Sequence, residues 1–212
     1  MTQAIRIIPA ILTDNPQTLQ NMLQQSATFT KYVQIDIMDG KFVPSRSITS
    51  EQIVGVPHQL KWEAHLMVKE PELELENFQK AGAIKALFHY EATPSPQKVI
   101  SAARRLGLSI GLAVNPETPV SAIKPFVGAV DSVLFLSVHP GFYGAKFIPE
   151  VLDKIAELRR KQPNLNIGID GGIKETNIAL IARSGVNEIF VGSAIFLQSD
   201  PAEGYRRLLE LV

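Results

Sequence analysis

Tyr32-Val33-Gln34-Ile35-Asp36-Ile37-Met38-Asp39-Gly40-Lys41-Phe42-Val43-Pro44 reads as a buried strand that runs straight into a loop. Val33, Ile35 and Ile37 supply β-branched residues to one side of the strand. Gln34, Asp36 and Met38 alternate with them and share the other side. Asp39-Gly40 then marks a turn. A carboxylate and an amide turned inward near the end of a strand are costly unless they are paired or used. This stretch alone is equally compatible with a structural aspartate that caps the turn.

Outward from this strand, the same alternation covers the chain. Ile5–Pro9 reads as a first strand, Trp62–Met67 as a third, Ile84–His89 as a fourth, Leu108–Val114 as a fifth and Ser132–Val138 as a sixth. Leu165–Asp170 and Glu188–Val191 read as the seventh and eighth. Between them lie helical patterns. Asn15-Pro16 opens one through Thr28, with Asn15 as cap and Pro16 at the first helical position. Ser50–Val56 and Val120–Phe126 predict short helices. Glu70-Pro71 opens a helix to Ala81, Ser95-Pro96 one to Leu106, and Gly82 and Gly107 stop them. Pro149–Lys161 is amphipathic, and Glu175–Arg183 and Pro201–Leu211 complete the set.

Strands alternating with helices imply parallel pairing through right-handed crossovers. Eight units point to an α/β fold of the closed (β/α)8 TIM-barrel type, with an open doubly-wound sheet as the other possibility. No linker or composition shift divides residues 1–212, which are expected to form a single barrel domain.

The 212 residues are 45% hydrophobic and 20% charged, with zero formal net charge. That composition carries no electrostatic footprint for nucleic acid or an anionic membrane. The absence of cysteine excludes disulfides, thiolate metal sites and cysteine nucleophiles. The N-terminus lacks the pattern of a signal peptide, and no apolar run approaches a membrane span, so a cytoplasmic location is expected. No G-x-G-x-x-G follows a strand, so no nucleotide cofactor is expected.

In a parallel barrel, chemistry sits at the C-terminal ends of the strands. Asp36, His65, His89, Asn115, His139 and Asp170 all fall at that rim. Each has a plain alternative, such as a hydrogen-bonded core histidine or a turn aspartate. Glycine-bearing loops follow the last strands: His139-Pro140-Gly141-Phe142-Tyr143-Gly144, Asp170-Gly171-Gly172-Ile173 and Gly192-Ser193-Ala194. The last two can place backbone N–H groups and a short helix N-terminus around a phosphate, a recurrent feature after strands seven and eight of barrels. Tight turns are the alternative for these glycines.

Ile35–Pro44, His65-Leu66-Met67-Val68, Asn115-Pro116-Glu117-Thr118-Pro119, Ser137–Phe142, Asp170–Ile173 and Gly192–Phe196 together resemble the ribulose-phosphate 3-epimerase family. The resemblance covers nearly the whole chain, and its D-x-M-D-G-x-F-V-P block is highly specific. It implies a barrel of the ribulose-phosphate-binding type that interconverts D-ribulose 5-phosphate and D-xylulose 5-phosphate. It implies Asp36 and Asp170 as the catalytic pair, one removing the C3 proton and the other returning a proton on the opposite face. A divalent metal, commonly zinc, iron or manganese, is implied at Asp36, His65 and Asp170. Substrate and phosphate contacts are implied at Gly141, Phe142, Tyr143, Gly144, Gly171, Gly172, Gly192 and Ser193, with Met38 and Met67 in the pocket. The partner expected is a small phosphorylated sugar. Relatives are commonly dimers or hexamers, so a homo-oligomer is expected.

Departures from the family pattern gather at the rim. The fourth metal-ligand position, a histidine in the family, is Gln34. An amide oxygen binds a hard cation but substitutes poorly for imidazole at zinc or iron. This points to weakened metal binding, a shift toward manganese or magnesium, or no metal. Ala10 stands where the family has serine, His139 where it has asparagine, and Tyr143 and Ala145 alter the following loop. His139 either supplies the missing imidazole or, the preferred expectation, stays in the loop against Tyr143. Three readings follow: a divergent epimerase, an epimerase of another ketose phosphate such as a hexulose 6-phosphate, or a metal-free, non-catalytic phosphosugar-binding homologue.

Overall fold

The computed structural model describes residues 4–141 and 146–212. Eight strands close into a parallel barrel in sequence order. They are β1 (Arg6–Ile11), β2 (Tyr32–Met38), β3 (Lys61–Met67), β4 (Lys85–His89), β5 (Ser109–Val114), β6 (Ser132–Leu136), β7 (Asn166–Asp170) and β8 (Glu188–Val191). The helices are α1 (Pro16–Ala27), α2 (Ser50–Val54), α3 (Leu75–Lys80), α4 (Pro96–Arg105), α5 (Val120–Ile123), α6 (Val151–Lys161), α7 (Ile178–Ala182), α8 (Ser193–Phe196) and α9 (Pro201–Leu209). The open-sheet alternative is excluded, because β1 pairs with both β2 and β8.

Local chemistry accounts for the element ends. The Asn15 side chain accepts from the Thr18 N–H, and Pro16 starts α1. Thr49 and Gln52 form a capping box at α2. The expected continuous helix over 70–81 is broken. Glu70 sits in the left-handed region at φ 54°, a one-turn 3-10 helix covers Pro71–Leu73, and α3 begins only at Leu75. The expected helix over 175–183 is likewise shorter, because Asn177 lies outside helical geometry and α7 starts after it.

The alternation of β2 separates two packing regions. Val33, Ile35 and Ile37 join the large cluster between strands and helices, with Trp62, Phe88 and Phe135. Ile8, Ala10, Leu87, Ala113, Leu134, Leu136 and Phe190 fill the barrel's interior. The interior is crowded: a Cβ on Gly111 would lie 2.2 Å from Leu87 Cδ2 and 2.5 Å from Ser132 Oγ. Only glycine lets β5 approach its neighbours there.

The lower end of the barrel carries a buried ionic network. Lys85 Nζ lies 2.8 Å from Glu63 Oε2 and 3.7 Å from Glu188 Oε2, and Arg6 pairs with Glu188 at 3.2 Å. The Tyr32 hydroxyl donates to Glu63 Oε2 at 3.0 Å. Burial pushes the Glu63 carboxyl up. Burial alone would lower Lys85, but the Glu63 and Glu188 carboxylates more than offset it and hold the ammonium above its ordinary range. No helix among the described residues is long and apolar enough to cross a membrane.

Candidate active site and metal centre

The upper end of the barrel is where Gln34 and Asp36 emerge. Both are buried, facing the interior as the alternation of β2 dictates. Cα register places Asp36 opposite His65 on β3 and Asp170 opposite Leu136 on β6. The end of β2 is pinned by Ser47, whose hydroxyl donates to the Asp36 carbonyl and accepts from the Met38 N–H, both at 2.8 Å. The Ser137 hydroxyl bridges the carbonyls of Asp170 and Gly171 at 2.9 and 2.7 Å and holds the end of β7.

Four side chains converge above the interior core. Gln34 Nε2 donates to Asp36 Oδ1 at 2.9 Å and to Asp170 Oδ2 at 2.8 Å, and lies 3.5 Å from His65 Nδ1. His65 Nδ1 is 2.9 Å from Asp36 Oδ1 and 3.6 Å from Asp170 Oδ2. Burial pushes the Asp36 carboxyl up to about 7, with the Gln34 hydrogen bond acting in the opposite sense. Burial and then the neighbouring Asp36 push Asp170 up to about 7 as well. Burial pushes His65 down to about 4. Two carboxyl groups poised near neutrality at one point suit proton transfer in both directions.

Asp36, His65 and Asp170 can coordinate a divalent metal, since one donor atom from each lies within 4.8 Å of the others. His65 Nδ1 lies 2.9 Å from Asp36 Oδ1 and 3.6 Å from Asp170 Oδ2, so one cation could meet all three side chains. Gln34 lies against the same three side chains. Its Nε2 faces the carboxylates, while its buried Oε1 has no hydrogen-bond partner among the described residues. Turning the terminal amide would exchange the two and offer an oxygen donor. This donor set of two carboxylates, one imidazole and one amide fits a hard cation better than the softer sites that favour zinc.

A cavity of about 140 Å³ opens over this cluster. Asp36, His65 and Asp170 line it together with Met38, Met67, Gly141, Gly171, Gly172, Gly192 and Ser193. Gly171 has φ 109°, and a Cβ there would lie 2.5 Å from Val138 Cγ2, so the turn after β7 requires glycine. Ser193 begins the short α8. Phe142, Tyr143 and Gly144, like Ala145, lie outside the described residues. Lys174 lines the same cavity, a cation beside the glycine loops that sequence reasoning did not single out.

The remaining rim residues divide. His139 points outward, largely exposed, and pairs with Glu117 at 2.8 Å. It therefore does not supply an imidazole in place of Gln34. His89 is buried behind His65, with Nε2 of each ring 3.0 Å apart and the rings stacked. Asn115 does not line the cavity; its backbone N–H donates to Glu91 Oε1 at 3.0 Å. Sequence reasoning placed His89 at the rim without a role and passed over Glu91. The His-x-Glu spacing at the end of β4 was the available signal.

A parallel barrel with paired carboxylates, an imidazole and glycine loops at its C-terminal mouth is of the ribulose-phosphate-binding type. The profile of the ribulose-phosphate 3 epimerase family matches residues 6–196. The chain is 37% identical over 209 residues to a ribulose-phosphate 3-epimerase of Schizosaccharomyces pombe, with 96% of this chain and 91% of the relative covered. It is 35% identical over 204 residues to that of Bacillus subtilis, with 92% and 94% covered. The cytoplasmic isoform of ribulose-phosphate 3-epimerase from rice is 35% identical over 207 residues, covering 94% of this chain and 91% of the relative. Among solved structures, 3-hexulose-6-phosphate synthase from Salmonella typhimurium superposes with a TM-score of 0.75 at 18% identity, over 98% of each chain. KGPDC from Streptococcus mutans superposes at 0.78 with 13% identity, over 99% of this chain and 97% of the other. These two show the shared fold. The chain belongs to the ribulose-phosphate 3-epimerase family, and that membership supports an isomerase activity.

Proposed function

We propose that the protein inverts C3 of a phosphorylated ketose, interconverting D-ribulose 5-phosphate and D-xylulose 5-phosphate. The observation that carries this is one cavity lined by both carboxyl groups and by the glycine turns after β7 and β8. The C3 proton is α to the C2 carbonyl, and its removal gives an enediolate. Asp36 and Asp170 are the acid–base pair in this reading: one carboxylate takes the proton and the other carboxyl returns one. Burial raises both carboxyls toward neutrality, where a carboxyl can both take up and release a proton. Inversion requires two groups, because a single carboxylate would return the proton to the face it came from. Gly171, Gly172, Gly192 and Ser193 hold the phosphate by backbone N–H groups, and Met38 and Met67 supply an apolar wall. A divalent cation bound at Asp36, His65 and Asp170 would act as a Lewis acid toward the enediolate oxygens. The similarity to the rice cytoplasmic isoform supports a cytoplasmic location.

The bridging of both carboxyls by the Gln34 amide favours a second reading, a metal-free phosphosugar-binding homologue without turnover. Incubation with D-ribulose 5-phosphate in heavy water, followed by NMR, separates the two. The protein is first stripped with chelator and then given zinc, manganese or magnesium. Loss of the C3 proton with appearance of xylulose 5-phosphate is expected. Binding of the sugar phosphate with no exchange under any cation would support the second reading. Exchange on a hexulose 6-phosphate alone would move the substrate assignment.

A further inference from the structure

The loop after β2 and the loop after β6 meet beside the cavity. Their strands are not neighbours in the barrel, since β2 lies between β1 and β3 and β6 between β5 and β7. The Ser45 hydroxyl donates to the Gly141 carbonyl at 2.5 Å, across a sequence separation of 96. Gly141 lines the cavity and Ser45 does not.

The two sides of this contact are built differently. The β2 side is closed on itself. An antiparallel bridge pairs Asp39 with Arg46, and the Asp39 carboxylate accepts from the N–H groups of Lys41, Phe42 and Lys69. Val43 is buried in one cluster with Met38 and Met67. On the β6 side, His139 pairs with Glu117, but both side chains are largely exposed, and such a pair holds little. Gly141 is buried and has φ 109°, and a Cβ on it would lie 3.1 Å from Val43 Cβ and 3.4 Å from Pro44 Cδ. The β6 loop therefore passes the β2 loop as bare backbone. Among the described residues, Ser45 is the donor that the Gly141 carbonyl has, and a buried carbonyl without a donor is costly.

We propose that Ser45 is a positioning residue that ties Gly141 to the β2 loop and so keeps the Gly141 backbone in place as one wall of the phosphosugar cavity. The inference rests on the reading of this cavity as the phosphosugar site. Without the tether, binding must order the Gly141 backbone as well as the ligand, which weakens affinity. Asp36 and Asp170 are held by other bonds, from Ser47 and Ser137 to their carbonyls. The tether therefore acts on ground state and transition state alike, and its loss falls on KM and not on kcat.

Ser45→Ala removes the donor, and Ser45→Thr keeps it. Gly141-Phe142 is the one Gly-Phe step in the sequence. Protein labelled with ¹³C at glycine carbonyls and ¹⁵N at phenylalanine therefore gives a single coupled NMR signal that reports on the Gly141 carbonyl. Ser45→Ala is expected to move that carbonyl upfield, and Ser45→Thr to restore it. In calorimetric titration with D-ribulose 5-phosphate, Ser45→Ala is expected to bind about 3–10-fold more weakly. Its KM rises to match while kcat stays within about twofold of wild type, and Ser45→Thr recovers both affinity and KM. An unmoved carbonyl signal, an affinity and KM equal to wild type, or a fall in kcat at constant KM overturns the inference. An equal loss of affinity in Glu117→Gln, which slackens the exposed part of the same loop, also overturns it. A wild type that binds no D-ribulose 5-phosphate counts against the epimerase reading, and the carbonyl signal alone then decides whether Ser45 places Gly141.

Discussion

Gln34 on β2 donates its amide N–H to Asp170 on β7 at 2.8 Å across the mouth of the barrel, although 136 residues separate them. With the matching bond to Asp36, one neutral amide bridges a buried carboxyl and a half-buried one. Replacing it with imidazole restores the donor type that fits zinc and iron. Gln34→His is expected to tighten Zn²⁺ or Mn²⁺ binding by about tenfold or more in calorimetric titration. An unchanged affinity would mean that Asp36, His65 and Asp170 do not form a competent three-donor platform.

Asp36→Asn and Asp170→Asn each keep the size of the side chain and an acceptor for Gln34. Each removes one member of the acid–base pair. Both are expected to lower the rate of C3 exchange by ~10²-fold or more, with thermal transitions close to wild type. Retention of full exchange by either variant would take that aspartate out of the mechanism.

Lys85→Met tests the lower end of the barrel. It leaves Glu63 buried without its closest cation, while Tyr32 still donates to it. A loss of roughly 3–5 kcal/mol is expected in urea unfolding. Glu63→Gln added to Lys85→Met removes the orphaned charge and should recover part of it. If the single variant unfolds like wild type, the network contributes little to stability.

Asp39 ties the loop after β2 to the loop after β3. It accepts from the N–H groups of Lys41 and Phe42 at 2.8 and 3.0 Å and from Lys69 at 3.0 Å. Burial pushes its carboxyl up, but these backbone donors outweigh burial and hold it below its ordinary value. The folded state therefore favours the ionised form. Its contribution is fully present above the unfolded value of about 4 and is lost as pH falls through the depressed folded value. Asp39→Ala is expected to cost roughly 1–3 kcal/mol at pH 7, with the gap to wild type closing as pH falls below about 4. A gap independent of pH would show that the carboxylate's charge is not what holds the loop.

The β2 stretch made much of this site legible before any coordinates. Two-residue alternation is local, so Gln34 and Asp36 could be placed on the inward face from their neighbours alone. Parallel topology then assigned Asp36, His65 and Asp170 to one rim. The broken helix over 70–81 was not legible, because Glu70 takes a left-handed conformation that residue type does not announce. The outward turn of His139 was equally hidden. Its partner Glu117 comes from a different loop, and both are exposed side chains whose direction the rim position does not set. Lys85 and Glu63 look like ordinary charged strand ends until barrel closure buries them against each other.

The order of eight strand–helix units, the end of the barrel where Asp36, His65 and Asp170 gather and the residue types available there were all set by the amino-acid sequence. They follow from periodicity, turn chemistry and topology, which act between near neighbours in the chain. Which atom of each side chain faces which was settled only on folding. Barrel closure set the Gln34 amide nitrogen between two carboxyls and aimed His65 Nδ1 at the cavity with Nε2 toward His89. Those choices depend on hydrogen-bond partners brought by strands that meet only when the barrel closes. In a buried site, unmet donors and acceptors cannot be satisfied by water.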